Sequence, residues 1–280
     1  MNIRVPSMTP DGKEVKVIGQ YVSGGADSAI LCYLICKDIR DRNLDIKLMP
    51  MTVRRPRPAN TMYAPPVVEK IAELLNIPYL DHQLFFPKLT GTKDNAKYVD
   101  GQYFSDKASE LFKTDQMQLL YTGITRNPPK EVQLTFNDGI NKEEHIRGVG
   151  AKRPLEQHHS LTWNKVKEEF NKDAAANKGT NSIKFQSSGN QNWLMKTKWG
   201  RTRIGLPETS FDFLPWEYWE KKPFLGMDKK DIARLYEEEG ILDDLFPLTR
   251  SCENDDTLDY HCGYCWWCDE RKWAFNGRLT

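Results

Sequence analysis

Apolar positions fall into short runs separated by stretches with helical spacing. Val15–Val22 is the first run and reads as a strand. Ser28–Asp41 follows as a helix whose broad apolar face carries Ile30, Leu31, Leu34 and Ile35. Ile46–Val53 reads as a second strand. Val67–Leu75 reads as a helix, with Pro65 and Pro66 at its start, where a missing N–H costs little. Pro78–Phe85 is a third strand, Phe104–Phe112 a helix capped by Ser105, and Met117–Thr122 a fourth strand ended by Gly123. This alternation predicts an α/β domain: a doubly wound parallel sheet with helices on both faces and right-handed crossovers. Such sheets bind ligands at the carboxyl ends of their strands.

The pattern breaks from Asn127 to Arg203, a stretch rich in Lys, Asn, Gln and Gly. One helix is expected there, Asn164–Asn177, with Val166, Phe170 and Ala174 on one face. A structureless loop of that length is improbable inside a compact domain. The stretch reads as an insertion with order of its own, a lid or partner surface. The other reading is a partly disordered insert without a role in chemistry. Order returns after Ile204. Lys229–Glu239 is helical, with Ile232, Leu235 and Tyr236 on its apolar face and Gly240 as its stop. Asp228 is its expected cap, and Asp231 three residues on completes a relative of the capping box. The expected organisation is a nucleotide-binding core over 1–126, the polar insertion over 127–203, the rest of the core over 204–248, and a tail over 249–280.

Charge adds little direction. Lysine and arginine balance aspartate and glutamate to a net +1 over 280 residues, so no global field favours nucleic acid or membrane. No run approaches the ~20 apolar residues of a membrane span. Met1–Ser7 carries no apolar signal-peptide core. The expected compartment is the cytoplasm.

The chemistry sits at two places. Ser23-Gly24-Gly25-Ala26-Asp27-Ser28 lies between the first strand and the first helix. A glycine-rich turn there offers backbone N–H groups and the positive end of the helix dipole to an anion. Ser23 and Ser28 add hydroxyls. The spacing is neither Walker A nor GxGxxG. The second place is Cys252-x9-Cys262-x2-Cys265-x2-Cys268. A clustered set of this kind reads as a metal site rather than a disulfide framework. Four thiolates fill the tetrahedral shell of a structural zinc, with Tyr264, Trp266 and Trp267 as shields. CxxCxxC also occurs at iron–sulfur centres. A closed four-cysteine shell leaves no open position for catalysis. Cys32 and Cys36, four apart on one helical face, read as core, with a redox or sulfur-transfer pair as the alternative.

SGGxDS resembles the PP-loop of enzymes that cleave ATP between its α and β phosphates. With the tail, the chain resembles the 7-cyano-7-deazaguanine synthase family of queuosine-type base synthesis. The tail match includes Pro223, Lys229, Asp231, Ile232, Thr249, Ser251, Cys252, Asn254, the run Cys262-Gly263-Tyr264-Cys265-Trp266-Trp267-Cys268, Arg271, and Ala274-Phe275. The resemblance implies the adenine nucleotide alpha hydrolase-like fold, a structural Zn²⁺, and ATP with Mg²⁺. It implies conversion of 7-carboxy-7-deazaguanine and ammonia to the 7-cyano base through an adenylated carboxylate and an amide. Backbone N–H groups from Gly24 to Ser28 would hold the leaving pyrophosphate. Lys229 looks like the family's lysine and would act as a phosphate cation, or is a solvated lysine at a helix start. Asp27 orients the loop, helps hold metal, or only caps the helix. Homodimerisation is a further family-level expectation. Two segments depart from the family. After strand two, Val53-Arg54-Arg55-Pro56-Arg57-Pro58 replaces a Tyr-Gly-Gln-Arg-His-like segment. After strand four, Thr125-Arg126-Asn127-Pro128-Pro129-Lys130 replaces a segment with an Asp and a Tyr-Pro-Asp-Cys-Arg-like run. The alternative is a PP-loop enzyme adenylating a tRNA base or another carboxylate, or a nucleotide-binding regulator with weak turnover.

Arg54, Arg55 and Arg57 either bind a carboxylate or phosphate or form a solvated basic loop. His82, His145, His158, His159 and His261 show no ligand spacing, although His261 beside Cys262 could replace one sulfur.

Overall fold

Ile18, Gln20 and Val22 are fully buried while Tyr21 is half-buried, so the first apolar run lies inside a sheet with both faces covered. The computed structural model describes residues 3–9, 12–53, 59–78, 80–86, 104, 107–108, 110–133, 135–136, 193–197, 200–204, 219–224, 226–252 and 260–280. Ser105, Arg54, Arg55, Arg57, Asn254, His145, His158, His159 and the expected helix Asn164–Asn177 lie outside the described residues.

In chain order the elements are β1 (Val17–Tyr21), α1 (Ala26–Asp41), β2 (Lys47–Val53), α2 (Ala64–Leu75), β3 (Gln83–Phe85), β4 (Leu119–Thr122), α3 (Lys130–Gln133), β5 (Trp193–Thr197), β6 (Gly200–Ile204), β7 (Trp219–Lys221), α4 (Lys229–Glu238), α5 (Leu242–Leu245) and α6 (Trp266–Ala274). Helical residues also occur within 104–113.

Five strands form one sheet in the order β3-β2-β1-β4-β7, and every pair is parallel. The chain leaves β1 toward β2 and β3, then returns to β1's other side with β4. The order reverses there, so a crevice opens beyond the carboxyl ends of β1 and β4. β5 and β6 pair as a separate antiparallel hairpin.

Alternation along the strands splits the core. Ile18, Leu48, Leu119 and Tyr121 pack with Ile30, Leu31, Ile35, Val67, Ile71, Ile232, Tyr236 and Phe246 on one face. Met51, Val53, Met117 and Leu120 pack with Phe104 and Ala108 on the other. Gly19 belongs to the second face. A Cβ there would lie 2.0 Å from the sulfur of buried Met117, so a side chain would need the core to rearrange.

The termini of α2 and α4 follow the sequence rules. Pro65 and Pro66 open α2. Asp228 caps α4 by accepting from the N–H groups of Lys230 (3.0 Å) and Asp231 (3.3 Å), and Asp231 accepts from the Asp228 N–H at 3.1 Å. Gly240 ends that region with φ +69°, which favours glycine. Phe275, just past α6, stacks on Phe246 at 4.0 Å, and both meet Tyr236 edge-on. The tail therefore shares the main core. No described helix is long and apolar enough to cross a membrane.

Candidate functional site

The SGGADS turn sits at the carboxyl end of β1, in the crevice. Gly24 has φ +81°, a conformation that costs other residues strain. Gly25 has an ordinary φ of −83° and is the N-cap of the 16-residue α1. No side chain caps that helix. The first-turn N–H groups of Ala26, Asp27 and Ser28 have no acceptor one turn back. They present donors and the dipole's positive end together.

The serine hydroxyls close the loop on itself. Ser28 Oγ accepts from the Ser23 N–H (3.1 Å) and donates to the Gly25 carbonyl (3.0 Å). Ser23 Oγ lies 3.1 Å from Ser28 Oγ and accepts from the Gly25 N–H at 3.3 Å. Three neighbours hold the loop's carbonyls. Gln20 Nε2 donates to Ser28, Tyr236 Oη to Ala26, and the Arg250 N–H to Gly24, at 2.7, 2.8 and 2.8 Å. Gly123, after β4, presses on the helix start: a Cβ there would lie 3.0 Å from the Asp27 carbonyl oxygen.

Asp27 does not cap α1. Its Oδ2 accepts from Lys229 Nζ at 2.6 Å and from Thr125 Oγ1 at 3.2 Å. Its Oδ1 is buried with no hydrogen-bond partner among the described residues. Lys229, at the first turn of α4, is buried rather than solvated, and its Nζ also lies 3.9 Å from a carboxylate oxygen of buried Glu270. Three distant segments thus meet at one carboxylate: the loop, the end of β4 and the start of α4. Arg126 closes the rim by donating to Asp228 at 3.2 Å.

The four tail cysteines converge too. Their sulfurs all lie within 4.8 Å of one another, with Cys262–Cys268 at 3.8 Å and Cys252–Cys265 at 3.9 Å. Cys252, Cys265 and Cys268 are buried among Trp266, Trp267 and Phe136. Hydrogen bonding to Cys252, together with burial, pushes the Cys268 thiol up to about 12 and the Cys265 thiol up as well. Cys265 and Cys268 therefore hold their protons until a cation displaces them. The cluster could bind a metal. His261 points elsewhere, with Nε2 accepting from the Ser251 N–H at 3.4 Å. Cys32 and Cys36 are buried in the main core, as the packing reading expects.

Four residues to which the sequence assigned no role belong to the site. Thr125 and Glu270 reach the Asp27–Lys229 pair. Arg250 and Arg271, both fully buried, tie the tail to the loop. Only Arg271 had a sequence signal, its place in the tail match. The other three are recognised through partners far away in the chain.

His82 lies by the same edge. The Thr52 hydroxyl donates to the Val22 carbonyl (2.6 Å), so it accepts from His82 Nε2 at 2.8 Å. Burial pushes the imidazole down to about 4 from 6.5. Folded His82 is therefore neutral where the unfolded residue already protonates. Its contribution is fully present above about pH 6.5 and is lost as pH falls to about 4. Partial solvent access limits the loss to about 1–2 kcal/mol. Denaturant titrations at pH 7 and pH 4.5 should show His82→Gln losing less stability on acidification than the unaltered protein. An equal loss in both would remove His82 from this account.

Residues 220–278 match the family model of the queuosine biosynthesis protein QueC, and over that C-terminal part the chain is QueC-like. The match holds Lys229, Arg250, Glu270, Arg271 and all four clustered cysteines. A sequence comparison with curated proteins gives no match. Among solved structures, the chain is similar to the U34-tRNA thiolase NcsA from Methanococcus maripaludis with its [4Fe-4S] cluster, at 12% identity and a TM-score of 0.43. That alignment covers 93% of this chain and 65% of the thiolase, so the chain spans less than two thirds of that protein's length.

Proposed function

We propose that this chain is an ATP-dependent, C–N bond-forming enzyme that converts 7-carboxy-7-deazaguanine and ammonia to 7-cyano-7-deazaguanine. The observation that carries the reading is the 2.6 Å contact between Lys229 and Asp27. It joins the segment matched to the QueC family to the SGGADS loop at one sheet edge.

A carboxylate resists ammonia because oxide is a poor leaving group. Attack of the carboxylate oxygen on the α-phosphorus of ATP forms an acyl adenylate and expels pyrophosphate. Ammonia adds to the acyl carbon, AMP departs, and a proton is released, leaving the amide. The amide oxygen then attacks a second ATP, again expelling pyrophosphate. Loss of AMP and of both amide protons gives the nitrile.

The protein's work is positioning and charge stabilisation. The N–H groups of Ala26, Asp27 and Ser28 would receive the pyrophosphate as negative charge builds on it. Lys229, oriented by Asp27 and Glu270, would balance that charge. The orphaned Oδ1 of Asp27 fits a cation, and Mg²⁺ held there would neutralise phosphate oxygens. We assign zinc to the four cysteines. Sulfurs around one tetrahedral zinc at ~2.3 Å stand about 3.8 Å apart, close to the two separations above. A filled shell of this kind supplies fold stability rather than chemistry. A cytoplasmic homodimer remains the family-level expectation.

The test is incubation of the purified protein with ATP, Mg²⁺, ammonium and the carboxy-deazaguanine, followed by mass analysis. A product with the mass of the nitrile supports the reading. AMP release only in the presence of tRNA would transfer it to the tRNA-base alternative. The burial of Cys32 and Cys36 speaks against that pair as the sulfur carrier in such a reaction.

A further inference from the structure

We propose that Arg250 is a positioning residue that couples the cysteine centre to the nucleotide loop, so that metal occupancy and nucleotide affinity strengthen one another. The proposal rests on the reading of SGGADS as the nucleotide site and goes beyond it.

Arg250 lies two residues before Cys252 and is fully buried. Its backbone N–H donates to the Gly24 carbonyl at 2.8 Å. That carbonyl belongs to the loop's left-handed residue, so its orientation sets the direction of the peptide leading into Gly25. The Arg250 side chain works in the opposite direction. Nε donates to the Cys252 carbonyl at 3.2 Å and Nη1 to the Tyr260 carbonyl at 2.9 Å. Tyr260 is two residues before Cys262, so one guanidinium spans the two chain segments that carry the first two cysteines. Its far face lies 5.6 Å from the ring centre of Tyr63, at the start of α2.

Arg271 secures the same stretch from the other side. Nη1 donates to Thr249 Oγ1 (2.9 Å) and Ser251 Oγ (3.3 Å), and Nη2 donates to the Phe246 carbonyl (3.0 Å). It sits on α6, three residues after Cys268. Residues 249–252 are thus clamped between the cysteine cluster and the loop.

A cation that draws Cys252 and Cys262 together fixes the separation of the two carbonyls that Arg250 spans. With Arg250 fixed, the Gly24 carbonyl is fixed, and the loop is pre-organised for phosphate. Without the cation, the two carbonyls move independently and the loop loses that constraint. A ligand that prefers the ordered loop must then favour the metal-bound tail, and the coupling is reciprocal.

The test uses the full chain and α,β-methylene-ATP with Mg²⁺. Its affinity is measured by calorimetry on zinc-loaded and zinc-depleted protein. Zinc affinity is measured by chelator competition with and without the analogue. Both affinities should rise by the same factor, at least about fivefold. Arg250→Lys keeps the positive charge and loses the two-pronged span. It should retain stoichiometric zinc while the coupling factor falls toward one. Equal analogue affinity with and without zinc would overturn the coupling and leave the nucleotide reading standing. No binding to zinc-loaded protein would overturn both. A wild-type coupling factor in Arg250→Lys would remove Arg250 as the link. If that variant does not fold, Arg250→Gln, which can reach only one of the two carbonyls, takes its place, and a wild-type coupling factor there would likewise remove Arg250 as the link.

Discussion

Replacing Cys265 and Cys268 together by alanine should abolish stoichiometric metal binding and cost the protein several kcal/mol. Structural zinc supplies roughly 10–16 kcal/mol in small modules, against the ~5–15 kcal/mol of a whole domain. The loss would not stop at the tail. Cys265 is the N-cap of α6, and Cys268 lies in its first turn. Further along, Arg271 of α6 binds the Phe246 carbonyl, and Phe275 stacks on Phe246 in the main core. The tail should therefore pull on α4 and α5 as it loosens. Metal analysis of protein purified without oxygen, paired with thermal unfolding, makes the measurement. Undiminished metal content in the double variant would refute the ligand set. Iron with sulfide in the unaltered protein would replace zinc with a cluster and move the chemistry toward thiolation.

Gly25→Val should reduce affinity for α,β-methylene-ATP at least about 100-fold, which is about 2.7 kcal/mol, while leaving the protein folded. The two loop glycines differ in why they are glycine. Gly24 needs its positive φ, so a side chain there strains the fold itself. At Gly25 the backbone accepts a side chain: a Cβ would meet only Ser23 Oγ at 3.4 Å and the Arg250 carbonyl at 3.6 Å. Both are ordinary contacts. Valine is a poor N-cap, which costs about 1 kcal/mol. What it would obstruct is the space over the open N–H groups of α1. Calorimetric titration of the variant, with its denaturation curve measured alongside, separates binding from stability. Undiminished binding by a folded Gly25→Val protein would mean that the phosphates sit elsewhere.

The strand–turn–helix around Ser23–Ser28 was legible in the sequence because its determinants are local. Apolar alternation, two glycines and the face of α1 lie within one short stretch. The Asp228–Asp231 capping box and the four-cysteine spacing were legible for the same reason. β7 was not. Trp-Glu-Lys is three residues long, too short to show a period, and it becomes a strand only by pairing with β4 across the long insertion. The β5–β6 hairpin lay inside a stretch read as polar insertion, where Gly and Lys mask alternation. α6 was not legible because its first turn, Trp266-Trp267-Cys268, is a consecutive apolar run without helical spacing.

The candidate site divides in the same way. The loop and Lys229 were named from sequence. Their meeting at Asp27 was not, because it joins positions 202 residues apart. Asp27 also had a local explanation, helix capping, which its contacts with Lys229 and Thr125 replace. Arg250 carried no sequence signal, since a buried arginine is recognised only by the carbonyls it reaches.

The proposed chemistry turns on where ATP is cut: between its α and β phosphates, in the crevice at β1 and β4, to activate a carboxylate. The most direct measurement follows ATP labelled separately at the α and γ phosphates, with Mg²⁺, ammonium and the carboxy-deazaguanine, and separates the nucleotide products. The α label should appear in AMP and the γ label in pyrophosphate, with both dependent on the carboxylate. Appearance of the α label in ADP and of the γ label in free phosphate would contradict it.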